Sequence, residues 1–265
     1  MIQYNGKKVN LNHFPDGALL MKENVIGTEK AVLTWLYENN EELIALYFLT
    51  KHLQSKGIRD IELQLPYIPN ARQDRVKAPE DIFTLKYFAE MINSLEFSKV
   101  TVLDPHSYVS EALLDRINVQ TPQKYVQSVL EKIERDNNHI LLFYPDEGAM
   151  KRYSVMFERP YVFGMKRRDW TTGEIRGLDV AGQTDLIQGS TVLIVDDICS
   201  KGGTFYYSAK ALKELGAKNV YLYVSHCENT ILEGEVLNSG LIERVYTTDS
   251  IFTEKNEKIE VFNYE

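Results

Sequence analysis

Length, composition and charge set the first limits on this protein. Its 265 residues allow one large domain or two modest ones, and 44% hydrophobic with 26% charged residues is ordinary for a soluble globular chain. The net charge of −8 argues against a general nucleic-acid binder. It still permits a local basic pocket for phosphates.

Neither a membrane span nor a signal peptide is expected. The most apolar stretches, such as residues 43–49, are too short to cross a bilayer, and residues 1–14 lack the apolar core of a signal peptide. The sequence contains two cysteines, Cys199 and Cys227, without metal-ligand spacing. We therefore expect a cytoplasmic protein with reduced cysteines and no membrane partner.

Polar side chains follow two predicted strands in the first half of the chain. Residues 61–65 predict a strand that enters a proline-broken loop bearing Arg72, Gln73 and Asp74, and a later strand ends in LDPHS, which places His106 in a loop. Open α/β sheets bind ligands beyond the carboxyl ends of their strands, so both loops are candidate ligand sites. A solvated loop with an Arg–Asp pair is the alternative.

Further sequence patterns lie before and after these two loops. The FPDG sequence at residues 14–17 predicts a hairpin or bend. In the second half of the chain, residues 123–135 predict a helix and residues 139–144 a strand, whose following loop contains Asp146. Strands and helices therefore alternate in both halves.

A run of cations follows a further strand predicted at residues 161–165. Lys166, Arg167 and Arg168 stand at the root of a long polar stretch that precedes the next apolar run. A long loop between two strong strands is usually functional or disordered. The run predicts a mobile lid over an anionic substrate, with a solvated charge run as the alternative.

The most specific stretch lies at residues 191–218. Residues 191–195 predict a buried strand, Gly202 and Gly203 break it, and apolar residues then recur at helical spacing until Gly216. A strand that feeds a helix through glycines presents free backbone N–H groups and the positive helix end, where phosphates bind. This stretch therefore predicts a phosphate-binding turn.

Two carboxylates, Asp196 and Asp197, stand at the mouth of that turn. They would repel a bare phosphate, so they predict hydroxyl groups to be gripped or a Mg²⁺ ion to be held. No Gly-Lys-Ser/Thr follows as in a Walker loop, and the G-x-G-x-x-G spacing of a dinucleotide site is absent. An ordinary turn with a solvated Asp pair is the alternative.

The stretch VDDICSKGGT resembles the ribose-phosphate motif of type I phosphoribosyltransferase-like proteins. Together with FPDGA, NARQDR, LDPHS and MKRRD before it, the order of motifs resembles one family, the ribose-phosphate pyrophosphokinases. The resemblance implies an α/β fold of two tandem phosphoribosyltransferase-like domains, each a mostly parallel sheet flanked by helices. We expect domains at residues 1–122 and 123–265, with the tail 251–265 packing on the first domain. The resemblance also implies a homo-oligomer, a dimer or a hexamer.

The resemblance further implies a reaction and a set of roles. Diphosphate would pass from ATP to the anomeric hydroxyl of ribose 5-phosphate, giving phosphoribosyl pyrophosphate and AMP. The catalytic residues would be Lys166, Arg168 and His106, and Mg²⁺ would be held by His106, Asp196 and Asp197. The ATP-binding residues would be Phe14, Asp16, Arg72, Gln73, Asp74 and His106. The acceptor-binding residues would be Asp146, Asp196, Asp197, Ser200, Lys201, Gly202, Gly203 and Thr204.

Three alternatives stay open. Ser200 and Lys201 stand where the family has Asp and Thr, and the added positive charge favours a larger acceptor with a ribose 5-phosphate end, such as ADP-ribose. A phosphoribosyltransferase would share the DDICSKGGT turn but has no use for the NARQDR loop. A non-catalytic regulatory homologue would tend to lose the lid cations or the histidine, and this chain keeps both.

Overall fold

The computed structural model describes residues 1–25, 29–135, 139–168 and 175–264, without the side chains of residues 166–168 and 175–176. The chain divides into two compact units, Met1–Thr121 and Pro122–Glu265. The boundary expected from the sequence, between residues 122 and 123, lies one residue from this division.

Strands and helices alternate along the first unit. Its described strands are β1 (Ile2–Tyr4), β2 (Lys7–Lys8), β3 (Asn12–His13), β4 (Leu19–Leu20), β5 (Lys30–Trp35), β6 (Asp60–Gln64), β7 (Lys99–Leu103) and β8 (Ile117–Gln120). Its described helices are α1 (Glu41–Ser55), α2 (Thr84–Asn93) and α3 (Tyr108–Leu113). β3 and β4 pair as a separate hairpin around the FPDG turn.

Parallel pairing defines one edge of the first sheet. Within the described residues the sheet has the order β2-β1-β5-β6-β7-β8, with β5 to β8 parallel and β1 and β2 antiparallel. Leu33 and Leu63 are register partners in its centre and are fully buried. Leu46, Leu49 and Leu53 of α1 recur at helical spacing and belong to the same core. The loops after β6 and β7 therefore leave the sheet at a shared edge.

The second unit repeats this alternation. Its described strands are β9 (Ile140–Tyr144), β10 (Tyr161–Arg168), β11 (Ile175–Gly182), β12 (Thr191–Cys199), β13 (Asn219–Cys227), β14 (Arg244–Thr248) and β15 (Ile259–Phe262). Its described helices are α4 (Gln123–Glu134), α5 (Glu147–Tyr153) and α6 (Gly203–Glu214), with short 3₁₀ helices at Thr184–Leu186 and Asn229–Glu233.

The second sheet is also mostly parallel. Among the described residues its order is β11-β10-β9-β12-β13-β14-β15, and only the β10–β11 pair is antiparallel. Val192 and Ile194 of β12 share a core with Phe205 and Leu212 of α6. Both units are thus mostly parallel sheets flanked by helices, which confirms the predicted fold class.

The tail does not follow the sequence-based expectation. The expectation that residues 251–265 pack on the first domain is wrong, because β15 pairs in parallel with β14 and completes the second sheet. Phe262 of the tail packs against the rings of Tyr246 and Tyr125. β15 thus covers the edge of β14 with backbone hydrogen bonds, and Phe262 adds a ring to the aromatic group. The tail therefore belongs to the second unit.

Strands β10 and β12 are longer than their runs of apolar residues predict. β10 continues through Lys166 to Arg168 and pairs with β11, which occupies part of the stretch expected to be a long loop. β12 continues past Val195 to Cys199 because β13 pairs with it along that length. Asp196 and Asp197 therefore lie within a strand and not in the turn after it. No helix in the described part of the chain combines the length and apolar character needed to cross a bilayer.

The placement of the tail predicts a stability difference within β15. Ile259 is 7% exposed and belongs to the core of the second unit, whereas Val261 is 37% exposed. Ile259→Ala should lower the free energy of unfolding by about 2–4 kcal/mol, because it leaves a cavity in that core. Val261→Ala should cost less than about 1 kcal/mol. Urea denaturation of the full chain measures both, and equal small losses would contradict the packing of β15.

Candidate functional site

The turn from β12 into α6 has the geometry of an anion site. Gly202 adopts a left-handed conformation with φ of 78° and directly precedes α6, whose first hydrogen bond runs from the Tyr206 N–H to the Gly202 carbonyl at 2.9 Å. The preceding amides of the helix have no intrahelical acceptor, and the helix dipole is positive here. A Cβ placed on Gly203 would meet nothing within 4 Å. The start of α6 therefore offers amide donors that suit an anion, next to an open position at Gly203.

A second segment holds this turn in place. Residues 228–236, here called the bracing segment, follow β13 and pack against the turn. A side chain on Gly234 would collide with the Lys201 carbonyl oxygen, and a Cβ on Gly202 would lie 2.7 Å from Val236 Cγ1. The Glu228 N–H also donates to the Cys199 carbonyl at 2.8 Å. The conformation of the turn therefore depends on contacts distant in sequence.

The bracing segment also contacts Ser200 and Lys201 of the turn. Ser200 Oγ lies 3.2 Å from Thr230 Oγ1, and Thr230 donates to Glu228 Oε2 at 3.2 Å. Lys201 Nζ lies 3.2 Å from Glu233 Oε2, with both side chains about two-thirds exposed. Such a surface pair is weak, at about 0–1 kcal/mol, so an anionic ligand can compete for Lys201.

The three acidic candidates of the second unit lie at neighbouring strand ends. Ile194 of β12 pairs with Phe143 of β9, which places Asp146 just beyond β9 and Asp196 and Asp197 at the end of β12. The register of β12 with β13 stays regular through Asp196 to Cys199. Successive side chains of a regular strand point to opposite faces of its sheet. The two adjacent carboxylates nevertheless stay close enough to interact with each other, and Asp197 is the less exposed of the two.

Asp197 and Asp146 are tied to α5. Asp197 is buried, and its Oδ2 lies 3.3 Å from Nη1 of Arg152. Asp146 precedes the helix and accepts a hydrogen bond from the Ala149 N–H at 3.0 Å, so it caps α5. One short helix thus fixes two of the three carboxylates.

The surroundings of Asp196 strongly favour the neutral form of its carboxyl group. Burial raises its pKa well above the ordinary value, and the negative charges of Asp197 and Asp146 raise it further. The Asp197 N–H donates to Asp196 Oδ1 at 3.0 Å, which opposes that rise. A cation or a hydroxyl donor at this position would relieve the repulsion among the carboxylates.

In the first unit, the loops after β6 and β7 converge on Asp74. Its side chain is 5% exposed and accepts two hydrogen bonds from Arg75, at 2.7 and 2.9 Å. The Arg75 guanidinium lowers the pKa of Asp74 to about 2, and nearby His106 contributes to the lowering. His106 follows Asp104, which is buried at a positive φ of 42° and turns the chain at the end of β7. The NARQDR and LDPHS sequences thus meet at one edge of the sheet.

The other candidates of the first unit are exposed. Arg72 and Gln73 lie on the surface of the NARQDR loop, and Gln73 Oε1 accepts a hydrogen bond from Thr84 Oγ1 at 2.6 Å. Phe14 is 49% exposed at the tip of the β3–β4 hairpin, where the Ala18 N–H donates to Asp16 Oδ1 at 3.0 Å. The FPDG hairpin is confirmed, and its tip is accessible.

For the two cations predicted to act in a lid, only the backbone is described. The backbones of Lys166 and Arg168 lie in β10, but their side chains fall outside the described part of the chain. Within the residues that the structure describes, no group of three or more His, Cys, Asp or Glu side chains is arranged to hold a metal ion. Mg²⁺ commonly binds one or two carboxylates together with substrate phosphates, and the carboxylates around Asp196 fit that mode of binding.

Two family models match two separate parts of this chain. Residues 2–95 match the N-terminal domain of ribose phosphate pyrophosphokinase, and residues 157–253 match the phosphoribosyl transferase domain. The chain is 31% identical over 241 residues to the ribose-phosphate pyrophosphokinase of Bradyrhizobium diazoefficiens, covering 87% of this chain and 73% of that protein. The chain belongs to the ribose-phosphate pyrophosphokinase family.

Other members of the ribose-phosphate pyrophosphokinase family are similarly related. The enzyme of Sulfolobus acidocaldarius is 28% identical over 92% of this chain and 84% of its own length, and that of Bacillus subtilis is 28% identical over 96% and 81%. The crystal structure of phosphoribosylpyrophosphate synthetase from Mycobacterium smegmatis matches with a TM-score of 0.78 at 19% identity, covering 97% of this chain and 86% of that one. This structural match supports the fold.

Three residues that contact the candidate residues of the second unit were not identified from the sequence. Arg152, Glu233 and Gly234 were not candidates, although each contacts a candidate residue. For Arg152 a signal existed, since a cation six residues after the helix cap Asp146 lies on the same short helix. For Glu233 and Gly234 no local pattern indicates the contact.

The left-handed turn predicts a contrast between its two glycines. Gly202→Ala should lower the free energy of unfolding by about 1–3 kcal/mol, because the new methyl group meets Val236 at a positive φ. Gly203→Ala should change it by less than about 0.5 kcal/mol, because the space beside Gly203 is open. Urea denaturation of both variants provides the comparison, and a tolerated Gly202→Ala would show that the turn is not held as described.

Proposed function

We propose that this protein transfers diphosphate from ATP to the anomeric hydroxyl of ribose 5-phosphate and releases AMP. The observation that carries the proposal is the pairing of two different matches in one chain. Residues 157–253 match a phosphoribosyl transferase domain, while residues 2–95 match the N-terminal domain of ribose phosphate pyrophosphokinase. A phosphoribosyltransferase would not need the second match, so the pyrophosphokinase activity is favoured over that alternative.

The second unit would bind the acceptor. The amides at the start of α6, from Gly202 to Thr204, would hold the 5-phosphate, since a helix N-terminus favours an anion. Asp196 would accept hydrogen bonds from the ribose hydroxyls, and Asp197 and Asp146 would complete the acidic group. The half-buried position of Asp196 makes each such bond stronger than it would be in water.

The first unit would bind ATP. Arg72 and Gln73 are exposed in the loop after β6, and a guanidinium is suited to phosphates. Asp74 is buried and engaged by Arg75, so we assign it to shaping this loop and placing His106 beside the phosphates. Phe14 and Asp16, at the accessible hairpin tip, would contribute to the adenine side.

Charge neutralisation would come from two sources. Mg²⁺, when bound, neutralises phosphate charge, and the carboxylates around Asp196 are the hard oxygen ligands that it prefers. His106 is a less suitable magnesium ligand and would act through the phosphates instead. Lys166 and Arg168 would stabilise the charge that develops during transfer, which is the main demand of phosphoryl chemistry.

The acceptor-side contacts also support a second candidate, ADP-ribose. The charge of Lys201 is exposed beside the turn, where it could contact a further phosphate of the acceptor. The Glu233 carboxylate opposes this, since it already neutralises part of the charge of Lys201. Ribose 5-phosphate therefore stays the leading acceptor.

The activity predicts a specific product. Purified protein incubated with Mg-ATP and ribose 5-phosphate should form AMP in equal amounts to the diphosphorylated sugar, and EDTA should abolish it. A parallel reaction with ADP-ribose ranks the two acceptors. ADP as the stoichiometric product would indicate a kinase, and no product with either acceptor would favour a non-catalytic homologue.

The lid cations predict an effect on turnover. Lys166→Ala or Arg168→Ala should lower kcat by about 10²-fold or more with a smaller change in KM, because the lost charge acts mainly in the transition state. Arg167→Ala, to which no role is assigned, is the matched control. Steady-state kinetics with varied ATP concentration measures kcat and KM for each variant. An unchanged kcat with a raised KM would mean that these residues only bind substrate.

A further inference from the structure

Helix α5 links the acidic residues of the second unit to one guanidinium. Asp146 caps its first turn, and Arg152 lies at its other end. The Arg152 side chain is 20% exposed, and its Nη1 lies 3.3 Å from Asp197 Oδ2. Its guanidinium carbon also lies 5.3 Å from the centre of the Tyr153 ring.

The Tyr153 ring gives this guanidinium a fixed support. Tyr153 is fully buried and stacks on Tyr144 of β9, with ring centres 6.1 Å apart. A cation over an aromatic face is attracted to it, and a planar guanidinium does this better than an ammonium. Arg152 is therefore held against the sheet at the level of Asp197.

The contact between Arg152 and Asp197 affects the arrangement of charges in the acidic group. Asp146, Asp196 and Asp197 are close enough for their charges to interact, and the side chain of Asp197 is less accessible to solvent than that of Asp196. Removing one partner of a buried ion pair has a large effect, because the remaining charge is left uncompensated. If Asp197 lost that partner, the orientation of its carboxylate at the strand end would change, and so would the field around Asp196.

We propose that Arg152 is a positioning residue of the acceptor site. It holds the carboxylate of Asp197 turned toward α5, and this leaves Asp196 as the carboxylate that contacts the hydroxyls of the acceptor. The assignment rests on the proposed function and adds to it a division of roles between two adjacent carboxylates. Arg152 itself is not required to touch substrate.

The neighbouring Lys151 provides a matched control. It lies on the same helix and pairs with Glu147 at 2.8 Å, but both side chains are about two-thirds exposed. Neutralising Lys151 removes the same formal charge from the same helix without touching Asp197. A difference between variants at these two positions therefore reports on the contacts of the Arg152 side chain and not on net charge.

The test measures binding and kinetics of Arg152→Lys, Arg152→Gln and Lys151→Gln in the full chain. Arg152→Gln should raise the KM for ribose 5-phosphate, and its Kd by calorimetry, by about tenfold or more, because a buried charge loses its partner. The KM for ATP should change less than about twofold. Arg152→Lys should restore part of the affinity, since it keeps the charge but not the planar fork.

Several results would overturn the assignment. Equal effects on both substrates, or a lower melting temperature with unchanged acceptor affinity, would make Arg152 a structural residue only. If Arg152→Gln does not accumulate as folded protein, Arg152→Lys decides alone, and wild-type acceptor affinity in it would refute the positioning role. Failure of the wild-type protein to bind or convert ribose 5-phosphate would instead refute the proposed function and this inference with it.

Discussion

The parallel pairing of β12 between β9 and β13 is the constraint on which the acceptor side of this protein depends. The carboxyl ends of the three strands meet at one edge of the sheet, so the loops that follow them are neighbours whatever their separation in sequence. β9 supplies Asp146 and leads into α5, β12 supplies Asp196 and Asp197, and β13 leads into the bracing segment. The acidic group and the phosphate-binding turn are both consequences of this register.

The same register makes the two adjacent carboxylates unequal. Asp197 meets Arg152 near the end of β12, while burial and the negative charges of Asp197 and Asp146 raise the pKa of Asp196. The turn then reverses into α6 through the left-handed Gly202, where the bracing segment leaves no room for a side chain. Acceptor specificity would therefore depend on Glu233 and Val236 as well as on the turn itself.

Much of the fold and of the candidate site was predictable from the sequence, because it depends on residues that are close together in the chain. Alternating strands and helices predict the α/β class, and the glycines after an apolar β-branched run predict the turn and the start of α6. The extent of β10 and β12, the pairing of β11 and the place of the tail were not predictable, because each depends on a partner strand. Gly177 and Asp179 also give β11 a weak strand signal. Arg152 and Gly234 contact the site only through the tertiary fold.

The central claim is that ribose 5-phosphate binds at the turn between β12 and α6. Amide chemical-shift mapping of the ¹⁵N-labelled protein during titration with ribose 5-phosphate tests it most directly. The account predicts saturable shifts concentrated at residues 200–206, extending to Asp196 and the bracing segment. Saturable shifts confined to other parts of the chain, with the amides of Gly202 to Thr204 unmoved, would contradict it.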